Sequence, residues 1–281
     1  MKSSSNEELE NNNAWSKVLL ARKITRFRSL EMIKNVFDSF IPLHGDRGIG
    51  DDKSIIGGIA LLNHQAVTII GQQKGNTPRE MEYHQYGMTK PEGYRKSLRL
   101  MRQAEKFRRP IICLIDTPGA FPGVLAEENG QAEAIARNLY EMANFTVPIV
   151  SIIIGEGGSG GALALGVANR VFMMENAVYS VVSPEGCASI LCKDSRKAPD
   201  MAGNLKVTAR DLKNYGVIDE IISEEGTNEV IFNRIKQNIN KELLRCSQLN
   251  GEEVRKERIE KFRKIGSEIT FTQYDTRVKK S

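Results

Sequence analysis

Histidine is scarce in this chain: His44, His64 and His84 are the only three in 281 residues, and none follows position 84. A serine hydrolase built in the order serine, acid, histidine therefore has no base to place after its nucleophile. The four cysteines, Cys113, Cys187, Cys192 and Cys246, form no C-x-x-C pair and lie far from the histidines in sequence. That spacing argues against a zinc site, so no metal is expected, and the cysteines read as reduced structural thiols. Cys113, inside an apolar strand pattern, reads as a small buried hydrophobe. No apolar run approaches the roughly 18 residues of a membrane helix. Met1 to Asn13 is polar and acidic, unlike a signal peptide, so a cytoplasmic protein without membrane contact is expected.

The chain carries 40% apolar residues and a net charge of +5, enough apolar content for a real core in one or two domains. One basic cluster stands out: Arg95, Lys96, Arg99, Arg102, Lys106, Arg108 and Arg109. It reads as a solvated helix face, with an anion-facing surface as the alternative. No aromatic residues interleave with it, which ranks nucleic acid last among partners.

Residues 14–43 show helical spacing, ended by Pro42. Ser54 to Leu62 and Ala66 to Gln72 are two strand-like runs that read as a hairpin around Asn63-His64-Gln65. Pro91 to Phe107 reads as a helix with Thr89 as its N-cap. Ile111 to Ile115 is a buried strand broken by Asp116-Thr117-Pro118-Gly119, and Glu127 to Asn144 is a helix. Pro148 to Ile154 is another buried strand, followed by a glycine turn and a short helix to Ala168. Strands at Val171 to Met174 and Ala177 to Val182 follow, then a helix from Pro184, a helix over Thr208 to Tyr215 and a strand over Val217 to Ile222. Alternating strands and helices with continuous apolar strands predict an α/β protein with helix-covered sheets. The expected organisation is a polar N-terminal arm over 1–20, one catalytic-type domain over 21–247, and a charged helix and tail over 248–281.

Gly155-Glu156-Gly157-Gly158-Ser159-Gly160-Gly161 is the most informative stretch, with five glycines in seven positions between a strand and a helix. Glycine allows close backbone approach, and a helix start leaves N–H groups free for negative charge. Tight helix–sheet packing is the structural alternative. Gly155, Gly157 and Gly160 also satisfy G-x-G-x-x-G, with Glu175 20 residues on, a dinucleotide fingerprint in form. Strand–helix units precede it, however, where that fingerprint usually opens its fold. Gly157 to Gly161 satisfies G-x-S-x-G as well, but the missing downstream histidine argues against a nucleophilic Ser159. A P-loop is excluded, since Asp52 stands where glycine is needed. An oxyanion hole of backbone N–H groups remains, serving enolate or acyl chemistry in which the substrate supplies its own base.

The glycine stretch through Ala164 resembles the signature of acetyl-CoA carboxylase carboxyltransferase alpha subunits. So do Asp116-Thr117-Pro118-Gly119-Ala120-Phe121-Pro122-Gly123, Pro91-Glu92-Gly93-Tyr94-Arg95-Lys96, Leu43-His44-Gly45-Asp46-Arg47, the run Asp51 to Ile59 and Ser183-Pro184-Glu185-Gly186-Cys187-Ala188. The resemblance runs from about residue 22 to about 222. It implies a crotonase-like (ClpP/crotonase) spiral of ββα units with helical arms. It also implies carboxyl transfer from carboxybiotin on a carrier protein to acetyl-CoA, giving malonyl-CoA for fatty acid synthesis. It places the biotin-side donors among Gly157, Gly158, Gly160 and Gly161, most plausibly the last pair with Ala162. Asp116, Thr117, Pro118, Gly119, Ala120, Phe121, Pro122 and Gly123 would line the same crevice. The implied partners are a beta subunit carrying a zinc ribbon in an α2β2 assembly, with the biotin carboxyl carrier protein and biotin carboxylase in the holoenzyme. No cofactor is expected in this chain. Departures from the family pattern fall at Gln85, Asn129, Cys192 and Glu225 to Asn228. They leave a divergent non-catalytic subunit as one alternative, beside a dinucleotide-dependent oxidoreductase.

Overall fold

The computed structural model describes residues 14–267. The stretch over 14–43 is not one helix. It divides into helix α1 over 14–22, helix α2 over Ser29–Val36 and strand β1 over Ser39–Pro42. Arg26 and Arg28 explain the break. Arg26 Nε donates to the Ile154 carbonyl at 2.6 Å, and Arg28 Nη1 to the Asp116 carboxylate at 2.7 Å. Residues two apart do not share a helix face, so both can point inward only where the helix is interrupted.

Strands β2 (Ile55–Leu62) and β3 (Gln65–Gln72) form the hairpin expected from the two strand-like runs. Asn63 and His64 turn it with φ of 49° and 65°, the left-handed pair that a type I′ turn requires. Helix α3 (Pro78–Tyr83) precedes α4 (Pro91–Lys106). Thr89 does not cap α4. Lys90 is the cap residue, its N–H donates to Asp52 Oδ2 at 2.7 Å, and Thr89 is buried against the Ser54 hydroxyl.

Strand β4 (Ile111–Thr117) runs two residues past its apolar stretch, because Asp116 and Thr117 are buried with polar partners. The helix expected over 127–144 is two helices, α5 (Val124–Glu128) and α6 (Gln131–Asn144), parted at Gly130 with φ 81°. Then come β5 (Ile149–Gly158), α7 (Ser159–Leu163), β6 (Arg170–Met174) and β7 (Val178–Ser180). Helices α8 (Pro184–Cys192), α9 (Ala198–Asn204) and α10 (Ala209–Asn214) lead to β8 (Glu220–Ile222), α11 (Asn228–Cys246) and α12 (Gly251–Lys264).

The mixed sheet has the order β1-β2-β3-β4-β5-β6-β8, antiparallel up to β3 and parallel from there on. Every residue of β4 is buried, as a strand covered on both faces demands. A second, shorter row of pairings runs beside it: Thr89 with Ala120, Thr117 with Gly157, Glu156–Gly158 with β7, and Val178 with Thr208. Each turn of the α/β spiral thus lays one long strand in the sheet and one short extended piece in this row.

The basic cluster is a solvated face only in part: Arg102, Lys106 and Arg108 are exposed, and the other four are half-buried or buried. Lys96 is buried on Asp51 at 2.5 Å, Arg95 pairs with Asp46 at 3.0 Å, and Arg102 pairs with Glu141 at 2.5 Å. The described parts of the terminal segments also pack onto the domain. Val18 of α1 is buried with Val178 and Val207. On α12, Arg258 is fully buried and donates to the carbonyls of Met142, Phe145 and Val147 at 2.6–2.7 Å. All four cysteines are free, and burial pushes the Cys113 thiol up to about 12, so it stays protonated. No helix among the described residues is long and apolar enough to cross a membrane.

Candidate active site

The glycine stretch is more strand than turn. Gly155, Gly157 and Gly158 lie within β5, and only Ser159, Gly160 and Gly161 belong to α7. This removes the dinucleotide fingerprint, whose glycines must form the turn between strand and helix. Between Ile115 and Thr117 the β4–β5 ladder is irregular: Ile115 faces Ile153 and Thr117 faces Gly157, so three residues of β5 oppose Asp116 alone. Side chains replace the missing ladder bonds. Asp116 Oδ1 accepts the Glu156 N–H at 3.0 Å, and the Gln72 amide oxygen accepts the Asp116 N–H at 3.2 Å.

Four of the five glycines have a packing reason. A Cβ on Gly155 would lie 2.4 Å from Asp116 Oδ1, on Gly157 2.7 Å from the Tyr179 ring, on Gly158 2.2 Å from the Pro118 carbonyl oxygen, and on Gly161 2.7 Å from the Ala120 nitrogen. The loop over 118–123 and the end of β5 are therefore in backbone contact. Gly160 is different: a Cβ there would meet only Ile135, at 3.8 Å, an ordinary contact. Packing does not require glycine at that position.

Gly158 is the N-cap of α7, so the N–H groups of Ser159, Gly160 and Gly161 have no acceptor within the helix, and Ala162 is the first that does. Ala162 is fully buried. At five residues α7 is too short to carry a helix dipole, and any attraction for an anion comes from the N–H groups themselves. Ser159 sits at φ 50° with its residue exposed, the strained backbone of a nucleophile elbow. No histidine lines the hollows beside it. Ser159→Ala is expected to keep carboxyl transfer within about threefold, because it removes a hydroxyl and leaves the N–H. A loss of several thousandfold in a folded variant, read as product formation, would restore the nucleophile.

Ser159 forms the ridge between two hollows at the C-terminal ends of β4 and β5, where open α/β sheets place their ligands. One, a narrow cleft of about 30 Å³, is lined by Arg22, Pro118, Glu156, Gly158, Ser180 and Ser183. The other is an apolar cavity of about 430 Å³, lined by Gly160, Leu163, Tyr179, Val181, Leu212 and Phe262. Burial pushes the Tyr179 phenol up to about 12, so it can donate a hydrogen bond but cannot serve as a base.

The segment Asp116 to Gly123 divides in the structure. Asp116 and Thr117 are fully buried, so neither side chain lines a crevice. Asp116 receives Arg28 at 2.7 Å and Lys74 at 3.0 Å, and Lys74 also reaches Glu156 at 2.5 Å. Arg22 joins Glu156 at 2.6 Å to Glu185 of α8 at 2.5 Å. Thr117 Oγ1 accepts the Gly119 N–H at 3.0 Å and donates to the Gly119 carbonyl at 2.7 Å. Pro118 and Pro122 are exposed, and Gly119, Ala120, Phe121 and Gly123 are half-buried. Sequence reasoning missed Arg22, Arg28, Gln72 and Lys74. The only signal available was a polar or charged residue at the edge of an apolar pattern.

Burial pushes the Glu156 carboxyl up, but Lys74 and Arg22 outweigh it and hold it below the usual carboxylate range. A depressed folded value means that its stabilisation is complete above the unfolded pKa of about 4.3 and is lost as pH falls through the folded one. Glu156→Gln should therefore lower stability at pH 7 by on the order of 2 kcal/mol. The gap to the parent protein should narrow below about pH 4. Thermal unfolding of both proteins across pH checks this, and a pH-independent gap would contradict it.

A model of the acetyl co-enzyme A carboxylase carboxyltransferase-like family matches residues 1–266. The acetyl-coenzyme A carboxylase carboxyl transferase subunit alpha of Staphylococcus epidermidis is 52% identical over 91% of this chain and 83% of its own length. The subunit of the same name from Clostridium acetobutylicum is 51% identical over 91% of this chain and 95% of its own length. Among solved structures, transcarboxylase 12S aligns with TM-score 0.67 at 19% identity, over 81% of this chain and 43% of that one. The beta subunit of Pseudomonas aeruginosa geranyl-CoA carboxylase aligns with TM-score 0.63 at 16% identity, over 84% and 44%. This chain thus spans less than half of those two, and at that identity the likeness shows the crotonase-like fold alone.

Proposed function

Because this chain belongs to the family of acetyl-CoA carboxylase carboxyltransferase alpha subunits, we propose that it forms the biotin side of a site that moves the carboxyl group of carboxybiotin to acetyl-CoA. The observation that carries this is Gly160, a glycine that packing does not require, at the opening of a helix with free N–H groups. Loss of CO2 from carboxybiotin leaves negative charge on the ureido group. The N–H groups of Gly160 and Gly161 hold the ureido oxygen, and the freed ureido nitrogen takes a proton from the acetyl methyl. The enolate carbon then attacks CO2, giving malonyl-CoA. Donors fixed in advance are worth about 3–4 kcal/mol each in such a site.

The residues around the hollows fit a reaction whose base is the substrate. Glu156 is held between Lys74 and Arg22, and Tyr179 stays protonated. The departures from the family pattern lie away from both hollows. Gln85 donates to Asp52, the Asn129 carbonyl accepts from Arg95, and neither Cys192 nor residues 225–228 line either one. This favours the catalytic reading over a scaffold subunit. The acetyl-CoA side belongs to a beta subunit, with zinc on that subunit, in an α2β2 assembly fed by the biotin carboxyl carrier protein and biotin carboxylase in the cytoplasm. Co-expression with a beta subunit, followed by an assay of malonyl-CoA from carboxybiotin and acetyl-CoA, tests the reading.

A further inference from the structure

Gln72, at the end of β3, is fully buried. Its amide makes two hydrogen bonds with opposite demands. Nε2 donates to the Gly161 carbonyl at 2.9 Å, and Oε1 accepts the Asp116 N–H at 3.2 Å. One partner is an obligate acceptor and the other an obligate donor, so only one orientation of the amide satisfies both. Neither partner is served by regular structure. In a continuing helix the Leu165 N–H would reach the Gly161 carbonyl, but it turns to Ala162 at 3.1 Å. The Asp116 N–H lies where the β4–β5 ladder is irregular. Gln72 is itself held, because its carbonyl accepts the Ser29 hydroxyl at 2.6 Å.

We propose that Gln72 is a positioning residue for carboxyl transfer: its side-chain amide bridges the Gly161 carbonyl to the Asp116 N–H and so fixes the N–H groups of Gly160 and Gly161 relative to the loop over 118–123. The inference rests on the oxyanion reading of that turn. Without the amide, α7 loses its tether to β3 and β4, and the donors drift from the geometry the developing charge needs. Misplacement by about 1 Å costs about 10²-fold in rate. Glutamate at this position has nearly the same shape and, when protonated, can still donate to the Gly161 carbonyl. Buried there, its carboxyl pKa is raised.

The test uses the complex with a beta subunit and the variants Gln72→Met and Gln72→Glu, alongside the unaltered chain. For Gln72→Met, kcat should fall about 30- to 100-fold with KM for acetyl-CoA unchanged within about twofold. For Gln72→Glu, activity relative to the unaltered complex should rise as pH is lowered from about 8 to about 6. Amide hydrogen exchange over 159–166 should quicken in Gln72→Met, with the rest of the sheet unchanged. A folded Gln72→Met complex with normal kcat and normal exchange overturns the proposal. So does a failure of both variants to fold, which would make Gln72 a folding residue. If the unaltered complex shows no transfer, the oxyanion reading fails instead, and the exchange measurement alone decides whether Gln72 holds the turn.

Discussion

Gly160→Ala will leave the protein as stable as before or more so, yet lower carboxyl transfer about tenfold, and Gly160→Val will lower it by about 10²- to 10³-fold. Stability should not suffer, because a Cβ at this position meets only Ile135 at 3.8 Å. Alanine in a helix is favoured over glycine by about 1 kcal/mol. Activity should suffer because the added carbon stands beside the N–H groups that are to hold the ureido oxygen. Gly161→Ala separates the two effects in the opposite sense. Its Cβ would press on the Ala120 nitrogen at 2.7 Å, so it should lower the melting temperature along with activity. Thermal unfolding and turnover measured on the same preparations decide the matter. If Gly160→Val turns over normally, the oxyanion assignment is wrong.

Purified alone and supplied with carboxybiotin and acetyl-CoA, the chain should form no detectable malonyl-CoA, and an added beta subunit should restore transfer at one-to-one stoichiometry. Negative charge develops on two oxygens, on the ureido group and on the thioester carbonyl, and each needs its own donors. The loop over 118–123 keeps at most the N–H groups of Ala120 and Gly123 for a second set. Pro118 and Pro122 have no N–H, the Gly119 N–H is spent on Thr117 Oγ1 at 3.0 Å, and that of Phe121 on the Thr89 carbonyl at 3.0 Å. The chain exposes apolar side chains that a partner would cover: Val181, which lines the apolar cavity, is 79% exposed, Val124 75%, Leu125 73% and Leu191 71%. Turnover by the chain alone is the decisive measurement, and substantial product there would mean that both oxygens are held within one subunit.

The sequence by itself determined the alternation of strands and helices, the hairpin at Asn63-His64, the buried strands β4 and β5, and the glycine-rich end of β5. These rest on local rules: side-chain period, turn residues with positive φ, and glycine density. The scarcity of histidine bounded the mechanism for the same reason, since composition needs no fold to be read. Tertiary structure decided which glycines serve packing and which one does not. That depends on how close Pro118, Ala120 and Tyr179 come, residues 22 to 41 positions away in sequence. It also decided that Asp116 is an anchor and that Arg95 and Lys96 of α4 are paired, because Arg28, Lys74, Asp46 and Asp51 approach only once the chain is folded. The division of residues 14–43 into three elements has the same origin. Its local spacing is helical, and the cost of leaving Arg26 and Arg28 without their distant partners outweighs that preference.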